Sequence, residues 1–482
     1  MHQALETFEI VDTIFTCLRD HLPEGYHDDY SHWEDDFISR YCSTSLLVGG
    51  TSIDRESSKC TMGLLSSALS CKQLSNLALK HLWWNQRSVQ NVLKLLPGYT
   101  FDRKEKTIEI LGILSEEDWE RADMYAKLVR NIVVYKTRSP KIKKSTYRQI
   151  QTSRQSRVLF PNLRDIYCQG TWKEVCLLLS PSLRRVVLRE GGHRGVPAGR
   201  RNDQPPFSSA MFDFVDTLPR ICPDIQSLEA YIVLPSATLY SMSKLQRLEH
   251  LGLNNVMPES DNSDYMTGIS VLSNLRSLRL GARWSPEWPK FMPVFSLPEP
   301  FSALRQVEFY GSLESISTCK WLPSFILSNI TAITAEMEST WIHEYMLHET
   351  TANQLCSKLC DTLVKHACSP SSSLRSVSFI GRLSNDILPG RIDVEAFQPL
   401  LALRRLETLV IDIALEGFDD QTLIKWATAW SNLQTFKFDA LADHARSNNP
   451  VWGNNPTPTL SRYVGPYPTP QLSIAGMDPF FD

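Results

Sequence analysis

The chain repeats a pattern of apolar positions at LxxLxL spacing, usually followed by Arg or another polar residue. Corresponding positions are 27 and 29 residues apart between Leu251, Leu278 and Val307, and 27 residues apart between Leu409 and Phe436. Alternation within LxL places both apolar side chains on one face of a short strand. One such strand cannot bury that face alone, so the repeats are predicted to stack around a shared core. The clearest anchors are Leu245, Leu248, Leu251 and Leu253; Leu272, Leu275, Leu278 and Leu280; Phe301, Leu304, Val307 and Phe309; Leu403, Leu406, Leu409 and Ile411; and Trp430, Leu433, Phe436 and Phe438.

The segment before residue 97 has the period of helices instead. Phe8, Val11 and Phe15 fall on one face of a first helix, and Ile10 and Ile14 widen its apolar stripe. Two more helices are predicted around residues 64–71 and 74–84. The intervening residues 23–61 are rich in Asp, Tyr, His and Ser and are predicted to be an insertion that separates the first helix from the other two.

These patterns predict an α/β fold in three parts. Residues 1–97 form a three-helix domain split by the insertion 23–61. Residues 98–441 form a leucine-rich-repeat solenoid, whose repeats are irregular because the anchor intervals vary along the chain. Residues 442–482, which are rich in proline, form a tail or a cap.

Composition narrows the classes of function. The 482 residues are 42% hydrophobic and 21% charged, as expected of a folded protein, and the net charge of −3 argues against nucleic acid as the main partner. No apolar run approaches the roughly 20 residues that span a bilayer, so no membrane partner is expected. Eleven cysteines without paired spacing favour reduced thiols, and therefore a cytoplasmic or nuclear protein.

One group of residues has the composition of a metal site. Cys356, Cys360, His366 and Cys368 lie close together in the sequence, and thiolate and imidazole are good zinc ligands. Their spacing fits no common zinc motif, and reduced cysteines are among the most buried residues. The favoured interpretation is a helix core, with metal binding as the alternative. No catalytic constellation occurs, so we expect no enzyme, no cofactor and no metal.

A basic stretch lies between Lys136 and Arg164. It contains nine Lys or Arg residues and no Asp or Glu. It is interpreted either as a nuclear import signal or polyanion-binding patch around Lys141, Lys143 and Lys144, or as a solvated loop between repeats.

Three passages resemble known F-box sequences. Leu5–Phe15 (LETFEIVDTIF) resembles the opening helix of an F-box, and Leu65–Trp83 (LSSALSCKQLSNLALKHLW) resembles its second half. The passage Leu114–Val134 is similar to one in fungal F-box/leucine-rich-repeat proteins. The chain differs from the family in lacking the proline of the opening "LP" and in carrying the insertion 23–61.

The resemblance implies a substrate receptor of a cullin–RING (SCF-type) ubiquitin ligase. Its F-box would bind a Skp-type adaptor of the cullin complex, and its repeats would bind a protein substrate that the sequence does not identify. The alternative is a non-catalytic leucine-rich-repeat scaffold whose degenerate F-box no longer binds the adaptor. The residues expected to contact the adaptor are Phe8, Ile10, Ile14, Leu18, Leu65, Leu74, Leu82 and Trp83.

A second set of residues is expected on the solvent-facing, concave side of the repeat strands. These residues lie between or directly after the apolar anchors, so alternation turns them away from the core. Arg279 and Tyr310 belong to residue types that are enriched at interaction hot spots. The predicted partner-binding residues are His250, Arg279, Glu308, Tyr310, Asp412 and Lys437.

Overall fold

The computed structural model divides the chain into two compact units. The first unit is Met1–Ile232 with Lys244–Leu248, and the second is Val233–Ser243 with Glu249–Asp482. The insertion 23–61 and the tail 442–482 lie outside the described residues, and the predicted domain boundary at residue 97 stays a prediction. The structure describes residues 8–20, 62–70, 72–86, 88–135, 141–154, 158–169, 175–189, 209–234, 236–256, 265–282, 301–317, 319, 322, 329–338, 349–369, 372–382, 392–413 and 415–438.

Three helices at the start of the first unit share one small core. They are α1 (Phe8–Asp20), α2 (residues 62–70) and α3 (Lys72–Trp84). Each helix has one apolar stripe, and stripes of this kind become stable only when they pack on one another. Their assignment as an F-box stays a prediction. The buried members of this core are Val11, Phe15, Leu64, Leu77 and Ala78.

The remaining described residues of the first unit form two sheets. A parallel sheet has the order β1-β4-β6-β7-β8, and a smaller sheet has the order β2-β3-β5. The strands are β1 (Asn85–Gln86), β2 (Tyr99–Asp102), β3 (Thr107–Ile110), β4 (Asn131–Tyr135), β5 (Lys141–Ile142), β6 (Asp165–Gln169), β7 (Arg185–Arg189) and β8 (Ser227–Leu234). The last two residues of β8 belong to the second unit. The helices are α4 (Gln90–Leu93), α5 (Glu120–Ala126), α6 (Lys144–Ser153) and α7 (Ser209–Ile221), with 3-10 turns at Glu117–Trp119 and Cys176–Leu178.

The second unit continues the same design. Its parallel strands have the order β9-β10-β11-β12-β13-β15-β17, and β14 pairs with β16. The strands are β9 (His250–Val256), β10 (Ser277–Ala282), β11 (Gln306–Gly311), β12 (Ala332–Glu338), β13 (Ser376–Arg382), β14 (Ile392–Asp393), β15 (Thr408–Asp412), β16 (Leu415–Glu416) and β17 (Thr435–Phe438). The helices are α8 (Ser236–Met242), α9 (Tyr265–Ser270), α10 (Leu313–Ser317), α11 (Glu349–Ala367) and α12 (Asp420–Ala429), with a 3-10 helix at Val394–Ala402.

The apolar anchors of the repeats align across neighbouring strands. Leu251, Leu278 and Val307 occupy the same register position in β9, β10 and β11, and none is more than 2% exposed. Equivalent alternation buries Leu409 and Ile411 in β15. The structure therefore confirms a mixed α/β fold whose parallel sheet resembles that of a repeat solenoid.

A backbone contact recurs where each repeat strand begins. The carbonyl of Arg130 accepts hydrogen bonds from the amides of Arg164 and Asp165 at 2.7 and 3.1 Å. In the second unit the carbonyl of Arg276 does the same for Arg305 and Gln306 at 2.8 and 3.0 Å. Because each repeat is fixed to the preceding one at the same position, the strands keep their register although the intervals between them vary.

Among the repeat strands of the parallel sheet, two differ from the sequence expectations. Asn85–Gln86, which lies inside the segment predicted to be helical, forms β1 and pairs with β4. Ala332–Glu338, for which no strand was predicted, forms β12 between β11 and β13. None of the helices in the described ranges is long and apolar enough to cross a membrane.

Candidate interaction surfaces

Helix α1 has apolar residues on two faces. Val11 and Phe15 are buried in the small core, whereas Ile10 and Ile14 are 43% and 42% exposed. The inward pair accounts for packing, whereas the outward pair takes no part in the small core formed by the described residues of α1, α2 and α3. The outward face is therefore a candidate docking surface. The side chains of Phe8 and Leu18 lie outside the described residues.

One carboxylate fixes the rotation of α1 on α3. Asp12 Oδ1 accepts hydrogen bonds from His81 Nε2 at 2.9 Å and from Lys80 Nζ at 3.1 Å. The His81 hydrogen bond, followed by the contact with Lys80, holds the pKa of Asp12 below its usual value. Because His81 is 1% exposed, the contact is anchored in the core and keeps Ile10 and Ile14 turned outward.

The other predicted adaptor residues are less accessible. Leu65, Leu74, Leu82 and Trp83 are partly buried. Leu74 and Leu82 pack against the small core, and the Trp83 ring stacks on Tyr125 with 4.6 Å between centroids. On α2, sequence reasoning did not select Met62 and Leu69, which are 48% and 78% exposed. Their apolar side chains could have marked them as candidate docking residues. The helical period alone, however, does not show which face of the helix packs against the core.

In the second unit, Arg279 organises a cluster of charges on the solvent-facing side of the strands. Its Nε lies 3.1 Å from Glu308 Oε1, and its Nη2 lies 2.7 Å from Glu336 Oε2. The guanidinium carbon is 5.5 Å from the centroid of the Tyr310 ring. The side chains of Arg279 and Glu336 are only 12% and 4% exposed, and Tyr310 is 7% exposed.

Alternation therefore predicted the direction of these side chains but not their burial. Arg279, Glu308 and Tyr310 face away from the apolar anchors as expected, yet Arg279 and Tyr310 are largely covered. The fourth member, Glu336, was missed because its strand β12 was not predicted. Of the remaining predicted residues, His250 and Lys437 are exposed and Asp412 is half-buried.

A polar ladder crosses the first unit at one register position. Asn85, Asn131, Asp165 and Arg185 are opposite one another in β1, β4, β6 and β7. The amides of Asn85 and Asn131 lie 2.6 Å apart, and with its nitrogen toward the acid Asn131 donates to Asp165 Oδ2 at 2.7 Å. Arg185 Nη2 reaches Glu229 Oε1 at 2.8 Å. The ladder gives this face fixed polar groups that the sequence pattern did not reveal.

Burial raises the pKa of Asp165 to about 6, although Arg185 and Arg164 oppose the shift. In the unfolded chain this carboxyl titrates near its ordinary pKa of 3.8. The folded state therefore holds the proton more tightly between these values, and stability falls as the pH rises through this window.

Asp165→Asn is expected to remove this pH dependence. From pH 5.0 to pH 7.5 the unfolding free energy of the wild type should fall by about 1.4 kcal/mol because of this carboxyl. The variant has no carboxyl at this position and should not show this fall. Urea unfolding of both proteins at the two pH values measures the difference. A difference between the two proteins that stays constant with pH would contradict the raised pKa.

The cysteines of the candidate metal group lie in or beside α11. Cys356 and Cys360 are fully buried, and burial together with the hydrogen bond to Cys356 raises the pKa of Cys360 well above its usual value. Buried protonated thiols are packing groups, which supports the helix-core interpretation. No group of three or more possible metal ligands occurs within the described ranges.

A cleft of about 640 Å³ lies beside α5 and α6. At its wall the Arg154 guanidinium packs 4.5 Å from the centroid of Trp119 and pairs with Asp123 at 2.7 Å. Trp119 Nε1 in turn donates to Ser153 Oγ at 3.1 Å. These polar groups are satisfied by one another, so their arrangement is explained by packing.

Comparisons with known proteins give little guidance. No family model matches the chain, and no curated protein matches it. Among solved structures, it is similar to an internalin from Listeria monocytogenes, with 13% identity, 62% of this chain and 69% of that chain covered, and a TM-score of 0.25. A likeness at this level carries no argument, so the fold assignment rests on the strand register and buried anchors described above.

Proposed function

We propose that this protein is the substrate-receptor subunit of a cullin–RING ubiquitin ligase. The observation that carries the proposal is the division of α1 into a buried face, with Val11 and Phe15, and an exposed apolar face, with Ile10 and Ile14. An F-box needs both faces, one for its own core and one for a Skp-type adaptor. The resemblance of residues 5–15 and 65–83 to F-box sequences supports the same role.

Adaptor binding would follow the physics of a helix in an apolar groove. Ile10 and Ile14 are four residues apart and therefore adjacent on one helix face. Transferring their side chains from water into a groove is favourable in proportion to the apolar area that is covered. The Asp12 contact with Lys80 and His81 orients this face before binding, which lowers the entropic cost of docking.

The repeat strands would hold the protein substrate. Their outward positions combine charged, hydroxyl and aromatic side chains on a rigid parallel sheet, the type of surface from which interaction sites are built. The protein would then act by proximity, holding its substrate near a ubiquitin-charged enzyme rather than reacting with it. This role places it in the cytoplasm, the nucleus or both.

The double substitution Ile10→Asp, Ile14→Asp is expected to abolish capture of a purified Skp-type adaptor, with a loss of about 100-fold or more in affinity. The physical reason is that two carboxylates would be buried in an apolar interface without partners. Co-elution in gel filtration and titration calorimetry with the full chain measure the loss. Both positions are exposed, so circular dichroism melting should change little.

Ile424→Asp is the matched control. Ile424 is an exposed apolar residue on α12 of the second unit, 65% accessible, and has no place in the proposed interface. Adaptor affinity should therefore be unchanged in this variant. If the wild-type chain fails to bind the adaptor, the alternative of a leucine-rich-repeat scaffold with a degenerate F-box replaces the ligase proposal.

A further inference from the structure

Three basic residues lie next to one another where the repeat strands of the first unit begin. They are Lys127, Arg130 and Arg164 and are called here the basic corner. Arg164 donates its backbone amide to the carbonyl of Arg130 at 2.7 Å, and Arg130 Nη1 donates to the carbonyl of Lys127 at 2.9 Å. These contacts hold three cationic residues within one small area of the surface.

The guanidinium of Arg130 is held in place before any partner arrives. Besides Lys127, Nη1 is within 3.4 Å of the carbonyl oxygen of Asn162, and the guanidinium lies 5.5 Å from the centroid of the Trp84 ring. Burial, followed by the positive charge of Arg164, lowers the pKa of Arg130. The basic corner thus contains two arginines that repel each other, one of them immobilised.

No ion pair neutralises the corner directly. Among the described residues no acid forms an ion pair with Lys127, Arg130 or Arg164. The half-buried Asp165, whose pKa burial raises to about 6, interacts with Arg164 only through the longer-range effect of its charge. At three equivalent repeat positions the arginine forms an ion pair. These pairs are Arg184 with Asp224 at 3.2 Å, Arg276 with Glu249 at 3.7 Å and Arg375 with Glu407 at 3.4 Å.

We propose that the basic corner binds an acidic peptide segment of a partner protein. Adjacent like charges that form no ion pair favour an anionic ligand, and the fixed guanidinium can bind a carboxylate through two parallel hydrogen bonds. A peptide fits better than nucleic acid, because three cations are fewer than the roughly 6–10 phosphate contacts typical of a nucleic-acid site and the whole chain carries a charge of −3. This inference goes beyond the proposed ligase role and does not depend on adaptor binding.

The test uses the full chain and a fluorescein-labelled decaglutamate peptide, followed by fluorescence anisotropy at low ionic strength. The double variant Lys127→Gln, Arg164→Gln is expected to bind the peptide about fivefold or more weakly than the wild type. Both side chains are exposed and Arg164 keeps its backbone hydrogen bonds, so the melting temperature should be unchanged. Raising the salt concentration should weaken wild-type binding more than binding by the variant, because screening acts on the charges that the variant lacks.

Arg305→Gln is the matched control. Arg305 occupies the same repeat position in the second unit and its guanidinium also donates to backbone carbonyls, those of Ser302 and Leu304. Peptide affinity should not change in this variant. The proposal is overturned if the wild type does not bind decaglutamate, if Arg305→Gln weakens binding as much as the double variant, or if a ten-residue thymidine oligonucleotide binds the corner more tightly than the peptide.

Discussion

Replacing Arg279 by alanine is expected to lower the unfolding free energy by about 3–5 kcal/mol. The guanidinium is the partner of both Glu308 and Glu336, and the Glu336 side chain is only 4% exposed. Removing it takes from a buried carboxylate the positive charge that these contacts supply, and water has little access to replace it. Urea unfolding monitored by circular dichroism and by tryptophan fluorescence measures the change.

Arg276→Ala provides the comparison for an exposed ion pair. Arg276 is 68% exposed and lies 3.7 Å from Glu249, so its loss should cost less than about 1 kcal/mol. Adding Glu336→Gln to Arg279→Ala should recover part of the lost stability, since the amide removes the uncompensated charge. Equal costs for Arg279→Ala and Arg276→Ala would show that the Arg279 cluster is not a buried ion network.

Trp426→Ala is expected to cost about 3–5 kcal/mol as well, for a different reason. Trp426 on α12 is 1% exposed and packs against three aromatic rings, with centroid distances of 5.4 Å to Phe418, 5.4 Å to Trp430 and 6.1 Å to Phe436. Truncation would open a cavity at the last described repeat. β17 of this repeat pairs with β15, so the cavity would lie beside the strand that the aromatic cluster covers.

Ile424→Ala on the same helix separates packing from helix propensity. Ile424 is 65% exposed, so this change should shift the unfolding free energy by no more than about 0.5 kcal/mol. Thermal and urea unfolding of the two variants side by side make the comparison. A similar loss in both would mean that the aromatic cluster does not hold α12 in place.

The repeat strands were predictable where their anchors are large. Alternation alone predicts a buried face at Leu278 and Leu280 and at Val307 and Phe309. All four side chains are buried in the structure. The strand β12 was missed because its middle inward residue is Ala335, which is too small to be recognised as an anchor. That strand is defined by hydrogen bonding to β11 and β13 on either side, which no local pattern shows.

The interaction surfaces were predictable only in part. The outward direction of Ile14 could be anticipated from the two-faced helix, whereas the Arg279–Glu336 contact joins residues in strands that are not neighbours. The ladder through Asn131 and Asp165 was missed for a related reason. A single polar residue that precedes an apolar anchor is normally interpreted as solvent-exposed. Only the register between neighbouring strands shows that several such residues lie side by side.

The doubly accepting carbonyl at the start of each repeat strand has a consequence for how a unit would open. The carbonyl of Arg305 receives the amides of Thr331 and Ala332, and that of Thr331 receives the next two, from Arg375 and Ser376. Detaching an internal repeat therefore breaks such links on both sides, but detaching a terminal one breaks them on one side only. Hydrogen exchange should accordingly be slowest in strands that have such links on both sides, such as β11 and β12.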